Sequence, residues 1–241
     1  MNEKNQGFVL QSIRYGDTSL IVKVYTRENG LLSFMVKGVR GKSSHHRAAF
    51  FQPMTFLNFV QKNRLKSSEL AYMGDVEVAY AYQTVPNVMN KSAILMYVAE
   101  LLSHVLTQQE RNEPLYNFVY QSMVWLDLVE TGYANFPLFF TLEISRFLGF
   151  YPHDNYREQS VFDMMEGQFV SNVPLHPYYF DETNSAMLSH LLNLSINELP
   201  EVTMTGLQRN ALTDGIIKFM QLHAPLVKGL QSHEVLKKVY R

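Results

Sequence analysis

The sequence predicts a multidomain α+β protein. A small five-stranded β-barrel of the OB-fold kind is expected over residues 1–80, followed by an α-helical domain over 81–241 with a β-hairpin insertion at about 153–182. Three observations carry that expectation. Short runs of period two fill the front without helical stripes between them. Apolar stripes at helical spacing begin near residue 90. Charge divides at the same place: residues 1–80 hold eleven basic and six acidic side chains, net +5, and residues 81–241 hold ten and sixteen, net −6. The overall charge of −1 conceals this split between a basic front and an acidic back.

The strands come first. Thr18–Thr26 alternates, with Leu20, Val22 and Val24 on one side and Ile21, Lys23 and Tyr25 on the other, ahead of Arg27. Glu28-Asn29-Gly30 reads as a hairpin turn, because Asn-Gly tolerates the positive φ of tight turns, and Leu31–Val39 is the return strand. Gly7–Tyr15 upstream and Thr55–Lys62 and Ser68–Gly74 downstream complete five strands, with Pro53 near a strand start. An SH3-like barrel or an open sheet fits the same spacing.

Behind residue 81 the period changes. Ile94, Tyr97, Val98, Leu101, Leu102 and Val105 form one stripe on a helix near Asn90–Leu106, with Asn90 as its cap. Further helices are expected at Pro114–Glu130, Pro137–Leu148, Thr205–Leu222 and Ser232–Tyr240. Gly149 and Pro152 close the third, and Thr205 with Gln208 has capping-box spacing. Ser160–Ser171 reads as a hairpin about Glu166-Gly167, Tyr178–Phe180 as a third strand, and Pro152, Pro174 and Pro177 argue against helix there.

The residues with chemistry lie in the front. Arg14 to Lys66 contains ten Lys or Arg and two acids, Asp17 and Glu28. Lys37, Arg40, Lys42 and Arg47 share a segment with Gly38 and Gly41, whose backbone allows close approach to phosphate oxygens. The same composition also fits a solvated loop with no ligand. Lys23 and Arg27 flank Tyr25, the pairing of cation with aromatic that single-stranded nucleic acid uses; an edge strand guarded against aggregation looks alike. Candidate DNA contacts are therefore Lys23, Tyr25, Arg27, Lys37, Arg40, Lys42, Arg47, Lys62, Arg64 and Lys66.

Other function classes find little support. The chain has no cysteine, which excludes disulfides, thiolate catalysis and cysteine-ligated zinc. No nucleophile elbow, zinc-protease helix or Walker loop is present, so no catalytic residue, metal site or cofactor is assigned and no enzyme activity is expected. Asp163, Glu166, Asp181 and Glu182 read as surface acids around the hairpin. The opening residues lack a signal-peptide core and no apolar run approaches the length of a membrane span, the richest being Phe136–Phe140, so a cytoplasmic location and no membrane partner are expected.

Several segments together resemble the bacterial recombinational repair protein RecO family. They are Tyr15-Gly16-Asp17, Thr26-Arg27-Glu28-Asn29-Gly30, Lys37-Gly38-Val39-Arg40, Tyr97–Leu101, Glu113–Tyr116, Phe147–Pro152 and the tail from His223 to Val239. The resemblance implies a non-enzymatic mediator of gap repair and homologous recombination. Such proteins bind single- and double-stranded DNA, anneal complementary strands, contact the acidic tail of single-stranded-DNA-binding protein, and join RecR to help load RecA. Lys91, Arg111 and Arg146 are candidate cations for such a tail. The alternative is a protein–protein adaptor that binds acidic peptide tails without touching DNA. Many members of the family carry a cysteine-ligated zinc module after the Leu-Gly-x-x-Pro segment; here an apolar hairpin over Val161–Phe180 takes that slot, and zinc is not carried over. Tag-free protein is accordingly expected to hold far less than one zinc per chain by elemental analysis, with a melting temperature that chelator does not move. A stoichiometric, chelator-sensitive metal would point to His153, His176 and neighbouring acids instead.

Overall fold

Alternating apolar residues in the front strands turn inward and close a barrel. The computed structural model describes residues 3–39, 48–62, 70–107 and 110–240. Five strands, β1 (Glu3–Tyr15), β2 (Ser19–Thr26), β3 (Gly30–Val36), β4 (Phe56–Gln61) and β5 (Ala71–Tyr80), pair in the closed order β1-β2-β3-β5-β4. β1 pairs antiparallel with both β2 and β4, and β3 meets β5 in parallel. This is a closed five-stranded barrel of the OB type rather than an open sheet. Its interior is filled by alternate residues, among them Val9, Val22, Val24, Phe34, Leu57 and Phe59. The β2–β3 turn forms as its residues dictate: Gly30 has φ 68°, the Thr26 hydroxyl donates to the Gly30 carbonyl at 2.8 Å, and the Asn29 N–H donates to that hydroxyl at 3.1 Å. β5 does not stop at Gly74. The register against β4 shifts between Asn58 and Val60, Asp75 takes φ 46°, and the strand continues past this bulge to Tyr80.

The compact unit built on the barrel comprises residues 1–83 and 99–124, and a second comprises 84–98 and 125–241. The helices α1 (Met89–Val105) and α2 (Glu113–Leu128) contribute to both. α1 begins one residue earlier than expected, so Asn90 lies inside its first turn. In the barrel unit one patch on the outward side of β1, β2 and β4 is buried, at Phe8, Tyr25 and Phe56. Phe8 stands directly opposite Tyr25 on one neighbour and Phe56 on the other. This row packs with Tyr116 and Tyr120, one turn apart on α2: centroids are 5.5 Å apart for Phe8–Tyr25 and 5.9 Å for Phe8–Tyr116, both stacked, and 5.0 Å for the edge-to-face pair Phe56–Tyr120. At the start of α2 the Asn112 side chain accepts from the Leu115 N–H. There, Arg27 donates through Nε and Nη2 to Glu113 Oε1, at 2.9 and 2.6 Å.

The second unit is held by α3 (Phe136–Phe147), a three-stranded sheet of β6 (Val161–Asp163), β7 (Gln168–Val170) and β8 (Tyr179–Phe180), and the helices α4 (Glu182–Leu192), α5 (Gly206–His223) and α6 (Ser232–Val239). The expected hairpin and its third strand are present, ordered β7-β6-β8. Their side chains Phe162, Met164, Phe169 and Phe180 share one core with Leu138, Leu188, Leu212, Ile216 and Phe219. Gly215 in α5 lets the Phe180 ring lie against the helix backbone, where a Cβ would collide with it. α5 starts with the expected capping box, Thr205 Oγ1 accepting from Gln208 N–H at 3.2 Å and Gln208 Oε1 from Thr205 N–H at 3.0 Å.

Two readings of the acids change. Asp163 is buried, and its Oδ1 accepts from the N–H groups of Met165 and Glu166 at 2.8 and 3.1 Å, because the turn directs those donors inward. Asp181 is exposed but caps an unforeseen helix, α4, accepting from the Asn184 N–H at 2.8 Å, with Glu182 in the first turn.

Phe162 is 1% exposed, so Phe162→Ala is expected to cost about 3–5 kcal/mol in chemical denaturation. Leu175→Ala, at a fully exposed position, should stay within about 0.5 kcal/mol. The Arg27–Glu113 pair gives a pH signature. Arg27's hydrogen bond first, then Arg111's, hold the Glu113 carboxyl below its ordinary range. A carboxyl depressed in the folded state contributes stability above its unfolded value, about 4.3, and loses it as pH falls through the folded value. Glu113→Gln should therefore melt below wild type at neutral pH, with a gap that closes under acid. A gap constant across the pH series would contradict this.

Candidate nucleic-acid interface

The parallel contact of β3 with β5 is short, pairing Phe34 with Ala71 and Met35 with Tyr72. Beyond it the two strands separate, and a cleft of about 490 Å³ opens between the end of β3 and the start of β5. Lys37, Lys62 and Tyr72 line it, over an apolar floor that includes Met35, Val36, Phe51 and Met73. Lys37 lies two residues past the β3 partner of Tyr72, and its ammonium stands 4.5 Å from the centre of the Tyr72 ring. The Lys62 N–H donates to the Tyr72 carbonyl at 3.0 Å. The Lys62 stem lies across Gly74, close against the position that a Cβ there would take. Asp75 is the acid among the described lining residues, so an approaching phosphate is favoured on the side of the two lysines. Lys37 and Lys62 are exposed and Tyr72 is partly so. The arrangement offers two cations and an aromatic face in one concavity, as single strands use.

The remaining sequence-based candidates divide. Lys23 is exposed on β2, paired across the ladders with Gln11 and Ser33, and does not line the cleft. Tyr25 is corrected: it is 2% exposed, stacked on Phe8, and its hydroxyl donates to the Glu110 carbonyl at 3.3 Å, so no face is free for a base. Burial raises its pKa. Arg27 is committed to Glu113, which raises its pKa through the hydrogen bond and the charge, and its Nη1 donates to Gln6 Oε1 at 3.3 Å. Arg40, Lys42, Arg47, Arg64 and Lys66 lie outside the described residues. Tyr72 was missed. Its signal was present, an aromatic four residues past the start of the last expected strand, but its neighbours depend on the parallel pairing.

Of the tail candidates, Lys91 is corrected. It is 2% exposed and donates to Thr84 Oγ1 at 2.7 Å and to the carbonyls of Asp127 and Val129 at 2.9 and 2.6 Å, closing the end of α2; burial lowers its pKa. Arg146 pairs with Glu143 at 3.1 Å and covers the Tyr151 ring at 3.7 Å, and Arg111 pairs with Glu113 at 3.0 Å. Among the described residues, Asp214, His233 and Glu234 could bring ligand atoms together for a metal. Lys237 Nζ already stands 2.7 Å from a carboxylate oxygen of each acid, so their charge is answered by an ammonium.

Comparison with known proteins gives a consistent result along the whole chain. Residues 1–82 match the family profile described as recombination protein O N terminal, and residues 87–228 match recombination protein O C terminal. The chain is 35% identical over 241 residues to a DNA repair protein RecO of Phocaeicola vulgatus, covering 100% of both chains. It is 32% identical over 242 residues to that of Bacteroides fragilis, again over 100% of both. It is 28% identical over 236 residues to that of Christiangramia forsetii, covering 98% of each. No helix among the described residues is long and apolar enough to cross a membrane.

Proposed function

The chain belongs to the recombination protein O family, and we propose that within DNA repair and recombination it acts as a DNA-binding and strand-annealing mediator. The observation that carries this reading is the cleft at the β3–β5 seam, where Lys37, Lys62 and Tyr72 converge. The lysines neutralise phosphates and release condensed counterions, which makes binding largely independent of sequence. Annealing follows from the same physics: bridging cations lower the repulsion between two strands, and base pairing then drives the reaction without a covalent step. The proposed ligand set is Lys37, Lys62 and Tyr72 in the cleft, Lys23 on β2, and Arg40, Lys42, Arg47, Arg64 and Lys66, which lie outside the described residues.

The family resemblance extends the proposal to partners. The chain would work in the cytoplasm with RecR, take the acidic tail of single-stranded-DNA-binding protein, and help load RecA. Arg111 and Arg146, which keep exposed guanidinium groups, are the cations proposed for that tail.

Fluorescence anisotropy with unrelated oligonucleotides across a salt series tests the DNA reading. Lys37→Ala with Lys62→Ala is expected to weaken binding to all sequences about equally and to flatten the log–log salt slope by about 0.7 per lost single-strand contact. Wild-type affinity and slope in the double variant would place the DNA elsewhere. Tight binding of acidic peptides with no oligonucleotide binding at any salt would favour the adaptor alternative.

A further inference from the structure

We propose that Tyr72 is a base-stacking platform for single-stranded DNA and that Lys37 is its placeholder, resting on the ring until a base takes its place. The inference rests on the reading of the barrel cleft as the DNA site and specifies what that site takes. Three observations support it. The Tyr72 ring lies in a concavity, partly exposed, with Lys37 Nζ 4.5 Å from its centre. The cleft's 490 Å³ falls inside the roughly 300–1,000 Å³ range of clefts that take small molecules, and its floor is apolar, as the flat face of a base requires. The backbone that carries the ring is also held, through the pairing of Tyr72 with Met35 and the Lys62 N–H bond to its carbonyl, so the ring projects from a fixed point of the barrel.

The two contacts differ in strength. An ammonium over an exposed ring is a weak contact, and a base stacked on an aromatic ring is a stronger one. An unstacked base therefore displaces Lys37. The freed ammonium stays within reach of the same nucleotide and takes its phosphate, so nothing is lost by the exchange. A base inside a duplex is already stacked on both faces and gains nothing from Tyr72. The platform thus selects single strands, and duplex binding on this face depends on the lysines alone.

The test compares three labelled probes by anisotropy at fixed salt: an oligothymidylate, an abasic oligonucleotide of the same length, and a duplex. Tyr72→Leu keeps an apolar side chain at the seam and removes the aromatic face, Tyr72→Phe restores it, and thermal melts confirm folding of each. Wild type should bind oligothymidylate more tightly than the abasic strand. Tyr72→Leu should lose about 5-fold or more on oligothymidylate relative to its change on the abasic and duplex probes, and Tyr72→Phe should behave as wild type. Equal loss on all three probes, or no loss on any, would overturn the inference while leaving the cleft as a DNA site. Failure of wild type to bind any probe would remove the underlying reading and the inference together.

Discussion

The outward row Tyr25–Phe8–Phe56, lying under Tyr116 and Tyr120 of α2, decides what the barrel can do. A small closed barrel has an interior too narrow for a ligand, so its outer face must divide between packing and recognition. Here cross-strand register sets three aromatic rings side by side on neighbouring strands, and two tyrosines one helical turn apart cover them. Each such ring pair contributes about 0.5–1.5 kcal/mol beyond the area that it buries. The cover also consumes polar groups: Arg27 is drawn to Glu113, and the Tyr25 hydroxyl to the Glu110 carbonyl. Gly30 belongs to the same arrangement, since its α-carbon lies against the Glu110 backbone and a side chain there would meet it at a positive φ. Among the described residues, the seam where β3 and β5 touch for only two residue pairs and then part is left open.

The second unit solves a different problem. Its small sheet has strands of three, three and two residues, too short to be stable alone. Phe162, Phe169 and Phe180 anchor it onto α4 and α5, and the edge of β7 is closed by Asn155, whose amide accepts from the Phe169 N–H at 2.9 Å and donates to its carbonyl at 3.0 Å. Apolar packing and a side-chain amide hold this insertion in a chain that has no cysteine.

Much of this was legible in the sequence because it is local. Period-two alternation gave the strands, helical stripes gave five of the helices, and Thr205 with Gln208 marked one start to the residue. α4 escaped because its stripe is short, Ser185, Leu188, Leu191 and Leu192, and follows three prolines that argue for irregular chain. The candidate site was legible only in its charges. Alternation correctly put Tyr25 outward, but parity cannot say whether an outward side chain is later covered, and Tyr25 is buried against Phe8 with its hydroxyl on the carbonyl of Glu110, 85 residues away in sequence. Lys91 likewise reads as an ordinary surface cation until the carbonyls at the end of α2 are brought to it. Tyr72 became a neighbour of Lys37 through a parallel strand pair, a non-local contact that no window of sequence encodes.

The covered face commits the barrel's aromatic row to packing, and in the proposed reading the open β3–β5 seam takes DNA. Amine-reactive labelling of lysines with mass-spectrometric readout, in the absence and presence of a single-stranded oligonucleotide, tests it most directly. Lys37 and Lys62 should be labelled in the free protein and protected by the oligonucleotide, while the exposed Lys228 and Lys238 of the helical unit stay reactive in both states. Protection of Lys228 or Lys238, with Lys37 and Lys62 labelled as before, would contradict the account.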